Sequence, residues 1–152
     1  MIYKMEKIKI YYFENKDNLN SADGLDFNQN IDDCINYILT ILKKDFNFTV
    51  FTKQMIYITR IKELIGSKNV NSFIKDKEFT FPNNVTMYRI LKNDTLNHSV
   101  DVVFLYITAP DDIHKIINKA RKNFIYIYAP YTYKELNEMK NNTKYELIKL
   151  KI

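Results

Sequence analysis

Apolar and polar residues follow one another along this chain in blocks whose period switches between two and about 3.6, as strands and helices taking turns require. Residues 7–13, Lys-Ile-Lys-Ile-Tyr-Tyr-Phe, predict a first strand with Ile8, Ile10 and Tyr12 on one face. A polar stretch from Glu14 to Asn30 follows and holds the turn pair Asp23-Gly24. Over 31–44 the residues Ile31, Ile35, Ile38, Leu39 and Leu42 recur at helical spacing. They predict a helix capped by Asn30, with Asp32 and Asp33 in its first turn and Lys43 and Lys44 at its end. Residues 46–52 read as a second strand. Residues 55–66 read as a helix through Ile58, Ile61 and Ile65 that stops at Gly66.

The stretch 67–99 is less periodic. Phe79-Thr-Phe81 before Pro82 predicts a short strand, and Asn83 to Lys92 a helix with an asparagine cap, although Val85, Thr86 and Ile90 also suit a strand. The last third contains a near-repeat: Phe104-Leu-Tyr-Ile-Thr-Ala-Pro110 is matched by Phe124-Ile-Tyr-Ile-Tyr-Ala-Pro130. Neither run alternates, which predicts strands covered on both faces. Each Pro is followed by helical spacing, Ile113, Ile116, Ile117 and Ala120 in one copy and Leu136 and Met139 in the other. Thr132 with Glu135, and Thr108 with Asp111, have the spacing of capping boxes. Tyr145 to Ile152 alternates as an edge strand does, with Lys149 and Lys151 on one side.

This alternation predicts a single α/β domain over 1–152. The expected form is three-layer α/β/α around a mostly parallel sheet of about five or six strands, Rossmann-like or flavodoxin-like in layout.

Composition supports a packed core: 46% of the 152 residues are hydrophobic and 27% charged. Cys34 is the only cysteine, so no internal disulfide is expected. No stretch has the length of a membrane span, and the first residues lack the apolar run of a signal peptide. A cytoplasmic protein without membrane contact is expected.

The net charge of +5 comes from 23 Lys and Arg against 18 Asp and Glu, spread evenly along the chain, with Arg at positions 60, 89 and 121 only. A dedicated nucleic-acid arm concentrates its charge, so nucleic acid is an alternative partner here, through dispersed Lys and Tyr.

In an open α/β sheet ligands bind beyond the carboxyl ends of the strands. That edge should carry Glu14-Asn15-Lys16, Thr52-Lys53-Gln54, Thr108 to Asp112 and Tyr128 to Thr132. Two glycines, Gly24 and Gly66, cannot write a phosphate-binding loop, so no nucleotide cofactor is predicted. Asp111 and His114 lie three apart on a helix and, with Asp23, are the candidate catalytic groups, although acids in a first turn also answer the helix dipole. A third ligand is lacking, so no metal is predicted. His98 has the chemistry of a general base should it meet Asp23 or Asp101, and otherwise reads as a surface histidine. Cys34 reads as a packed residue, because Asp32 and Asp33 disfavour a thiolate. Thr108, Tyr128, Tyr131 and Thr132 are the candidate ligand-binding residues, with Tyr106, Tyr126 and Tyr133 completing a tyrosine cluster.

The leading expectation is a non-catalytic binding or regulatory protein acting through that Tyr-rich surface on a protein partner or on itself. The alternatives are a small hydrolytic or nucleotide-related enzyme and a nucleic-acid binder.

Overall fold

A computed structural model describes residues 6–17, 23–50, 56–106 and 108–151, the side chains of 56–60 excepted. Along it run β1 (Ile8–Tyr12), α1 (Phe27–Tyr37), β2 (Phe46–Val50), α2 (Ile56–Ile65), α3 (Ser67–Asp76), β3 (Glu78–Thr80), β4 (Thr86–Ile90), β5 (Val102–Tyr106), α4 (Pro110–Lys119), β6 (Ile125–Tyr128), α5 (Tyr133–Asn141) and β7 (Tyr145–Lys149). The strands form one seven-stranded sheet in the order β3-β4-β2-β5-β6-β1-β7. Every described pairing is parallel except β3 with β4. The fold is thus mixed α/β on a mostly parallel sheet, and the sheet is larger than expected.

The additional strand is β4, where a helix was predicted. The β-branched Val85, Thr86 and Ile90 suit a strand. The turn before it is closed by Asn84 N–H donating to the Phe81 carbonyl (2.9 Å) and Phe81 N–H to the Val85 carbonyl (2.8 Å). Asn84 sits at φ 70°, the left-handed conformation that asparagine tolerates better than most residues. The chain therefore reverses and pairs with β3. Asn83, read as a helix cap, donates its amide to the Leu39 carbonyl at 2.9 Å. Helix α3 was not anticipated, although Val70, Phe73 and Ile74 have its spacing and pack inward.

Helix α1 begins earlier than its apolar stripe implies. Asp26, not Asn30, supplies the cap, accepting the Gln29 amide at 3.0 Å. Asn30 and Asp33 become buried positions within the helix, which ends in a π-helical segment, Ile38–Leu42.

Alternate residues of the strands feed two separate cores. One gathers Phe46, Phe48, Val50, Phe104, Tyr106 and Ile127 beneath Cys34, Ile35 and Ile38 of the α1 region and Ile61 and Phe73 of α2 and α3. The other gathers Ile10, Val103, Leu105, Tyr126 and Tyr128 beneath Ile113 and Ile116 of α4 and Leu136 and Met139 of α5. Wholly buried side chains such as Phe48 and Leu105 contribute about 1.5–3 kcal/mol each. The two Ala-Pro runs are β5 and β6, neighbouring parallel strands that each hand over to a helix. On the second face of β2, Asn47 and Thr49 are buried polar residues. Asn47 exchanges two hydrogen bonds with the backbone of Asn97 (3.1 and 2.8 Å), which draws the connection 91–101 against that face.

Candidate functional site

Because β1, β2, β5 and β6 run parallel, the segments after β1, β5 and β6 leave from one edge of the sheet. Thr52-Lys53-Gln54, expected there too, lies outside the described residues. At this edge Thr49 Oγ1 donates to the Phe104 carbonyl (3.0 Å) and Thr108 Oγ1 to the Tyr106 carbonyl (2.8 Å), with the two hydroxyl oxygens 3.2 Å apart. With both protons given to backbone carbonyls, neither hydroxyl has one left to donate across the 3.2 Å contact or to a ligand. Thr108 is buried and turned into the sheet. Its capping box with Asp111 is absent, and Ala109 occupies the cap position without a side-chain bond.

The other residues expected at this edge serve the fold in similar ways. Tyr128 is fully buried and its hydroxyl has no hydrogen-bond partner. Burial pushes its pKa up, helped by Glu135 and Glu138. Thr132 caps α5 by accepting the Glu135 amide at 3.2 Å. Asp23 Oδ2 accepts the Tyr133 amide of the same helix at 2.7 Å. Tyr131 alone of the four ligand candidates is exposed, at 53%, and sets its ring edge-on against Phe27, 4.9 Å between centroids. Phe27 in turn stacks on Tyr106. A polar network missed in the sequence lies beside them. Asn15 donates to Asn30 Oδ1 and Asp33 Oδ2 (3.0 and 2.8 Å), and Gln29 donates to Asp33 Oδ1 (2.8 Å). Nothing in the spacing of Asn15 and Asn30 signals this meeting.

Asp111 and His114 do not converge on a common partner. His114 Nδ1 lies 2.6 Å from the Tyr145 hydroxyl, with the two rings stacked at an interplanar angle of 9°, while Asp111 stays exposed. His98 is held by backbone. Its Nε2 accepts the Arg121 amide (3.1 Å), which leaves Nδ1 to donate to the Leu96 carbonyl (2.9 Å) and assigns the neutral tautomer. Asp101 binds Lys44 and Lys122 instead (3.0 and 3.1 Å), and their hydrogen bonds and charges hold its carboxyl below the usual range. Cys34 is buried and donates to the Tyr128 carbonyl at 3.5 Å. Burial, with Asp33 adding, pushes its thiol well up. Among the described residues no three His, Cys, Asp or Glu side chains are grouped to hold a metal ion.

Charge collects elsewhere. The connection after β4 returns to β5 without a helix, and between it and α4 opens a cleft of about 750 Å³. Ile90, Leu96 and Ile116 supply apolar walls, and Lys92, Lys115, Lys119 and Arg121 supply positive charge. Helix α4 turns Ile113, Ile116 and Ile117 into the core, which leaves Lys115 and Lys119 exposed one turn apart. Two carboxylates share the lining, and both are engaged. Asp112 faces Lys92 at 3.9 Å, and Asp94 accepts the Leu91 amide of its own turn at 2.9 Å. Among the described residues no carboxylate lies within 4.0 Å of Lys115, Lys119 or Arg121. A second hollow, about 510 Å³, lies at the amino ends of β1 and β6 and carries Lys7, Lys9 and Lys122 beside Tyr11 and Phe124.

No protein-family model, curated protein or solved structure matches the chain. No described helix is long and apolar enough to cross a membrane.

Proposed function

We propose that this chain is a binding module for an anionic partner, received in the cleft between α4 and residues 91–98. The observation that carries this is the convergence of Lys115, Lys119 and Arg121, without described carboxylate partners, on a concave surface with apolar walls. A few fixed charges around apolar walls are what a binding site needs to orient a ligand. Cations in a concave site also raise the local concentration of anions. The burial of Tyr106, Tyr126 and Tyr128 turns the choice of binding surface away from the tyrosine cluster, of which Tyr131 remains outside. The same proposal takes the two cores as two helical layers on either side of the sheet, in a Rossmann-like arrangement, and sets the protein in the cytoplasm.

Titration of ¹⁵N-labelled protein with dextran sulfate tests this. Amide shifts should concentrate on 91–98 and 112–121, and K115Q/K119Q should weaken binding about tenfold at low salt. Shifts scattered over the whole surface, or unchanged affinity in the variant, would refute it.

A further inference from the structure

We infer, building on the proposal that the partner is anionic, that it is a single-stranded nucleic acid running from this cleft across the α4–β6 turn into the second hollow. The two hollows stand on either side of that turn: Arg121 lines the first, and Lys122 and Asn123 line the second. Positive charge reappears past the cleft at Lys7 and Lys9, with Glu6 beside them, while Lys122 between the hollows is held by Asp101 at 3.1 Å. A compact anion would engage one hollow; a row of phosphates engages both.

The dimensions suit a short strand. From β4 to β1 the sheet spans four inter-strand intervals, roughly 19 Å, and the path also descends the length of a five-residue strand, roughly 16 Å. The track is therefore on the order of 25 Å, enough for a site of about four nucleotides, the small end of single-strand sites.

Rings are interleaved with these cations. His98 lines the first hollow and sets its ring against Phe124, 5.4 Å between centroids, while Phe124 lines the second. Phe124 itself is buried, 6% exposed with Lys122 Nζ 5.2 Å over its ring, so the ring that faces the second hollow is that of half-buried Tyr11. Ring faces beside backbone-binding cations are how single strands are held without reading their sequence. A flexible strand can follow a path over the turn between the hollows that a duplex would have to bend to follow.

Fluorescence anisotropy of the whole protein with a labelled thymidine octanucleotide tests this, with a duplex of the same length and polyglutamate as comparisons. The octanucleotide should bind best. About four phosphate contacts give a slope near −2.8 for log K against log salt, so binding should weaken roughly fiftyfold between 50 and 200 mM salt. K7Q/K9Q and K115Q/K119Q should each weaken it about tenfold while keeping the wild-type circular dichroism and melting temperature. Polyglutamate binding without octanucleotide binding would overturn the nucleic-acid inference and leave the anionic-partner proposal standing. If neither binds, that proposal itself fails. Octanucleotide binding that ignores K7Q/K9Q would overturn the continuous track.

Discussion

The Asp23 carboxylate accepts the Tyr133 amide at 2.7 Å, tying together positions 110 residues apart. The bond fixes the loop before α1 to the first turn of α5, where backbone N–H groups lack helical partners and the dipole favours negative charge. The same carboxylate closes a local turn by accepting the Leu25 amide at 3.2 Å. Asp23 thus holds two segments in place through its two acceptor oxygens.

Asp23→Ala should lower stability by about 1 kcal/mol, the usual loss when a capping acceptor is removed. Asp23→Asn should recover most of it, because an amide oxygen also accepts. Urea denaturation of the two variants measures this; equal losses would show that charge, and not acceptance, matters here.

Tyr128→Phe should stabilise the protein by about 1 kcal/mol. The phenol oxygen is buried without a partner, and a buried polar group left unbonded costs about 1–3 kcal/mol. A raised melting temperature checks it. Thr108→Val should act oppositely, since that hydroxyl is bonded to the Tyr106 carbonyl.

Alkaline pH should unfold the protein through its core tyrosines. Burial, with Tyr145 adding, pushes Tyr126 from 10.0 up to about 12, and Tyr128 moves in the same direction. The folded chain therefore keeps protons that the unfolded chain has already lost. Stability is full below pH 10 and falls as pH rises from 10 towards 12. Denaturation midpoints across that range should drop, and tyrosinate absorbance for these two residues should appear only together with loss of helical signal.

Cys34 should resist thiol reagents in the native state, since its thiol is buried and its pKa is raised by that burial and by Asp33. Labelling by an aromatic disulfide should proceed at the rate of opening and accelerate with urea. Rapid labelling at neutral pH without denaturant would contradict the packing around Tyr128.

What could be read from residues alone follows the strength of local signals. The Ala-Pro runs announced β5 and β6 because uninterrupted apolar residues ending at Pro leave few options. Thr132 announced its cap through Glu135 three positions on. Thr108 carried the same spacing and did something else, because Thr49 on the adjacent strand offered its hydroxyl a buried neighbour that no local pattern encodes. Strand β4 was misread because Asn83 and Asn84 look alike as cap or turn, and only pairing with β3 decides between them. The basic cleft was invisible for a related reason. Lys92, Lys115, Lys119 and Arg121 come from three segments whose meeting depends on Asn47 holding the 91–101 connection against β2.

The place of β1 in the sheet constrains how the chain assembles. Its two neighbours, β6 and β7, are made more than a hundred residues after it. While the chain emerges from a ribosome, Ile10 and Tyr12 have no strand to join, and the growing sheet ends at β5 with its flank open. Closure waits until β6 and β7 have been made, and comes through contacts of long sequence separation that form slowly. A nascent chain arrested before β6 should remain sensitive to protease at β1, whose partner strands are not yet made.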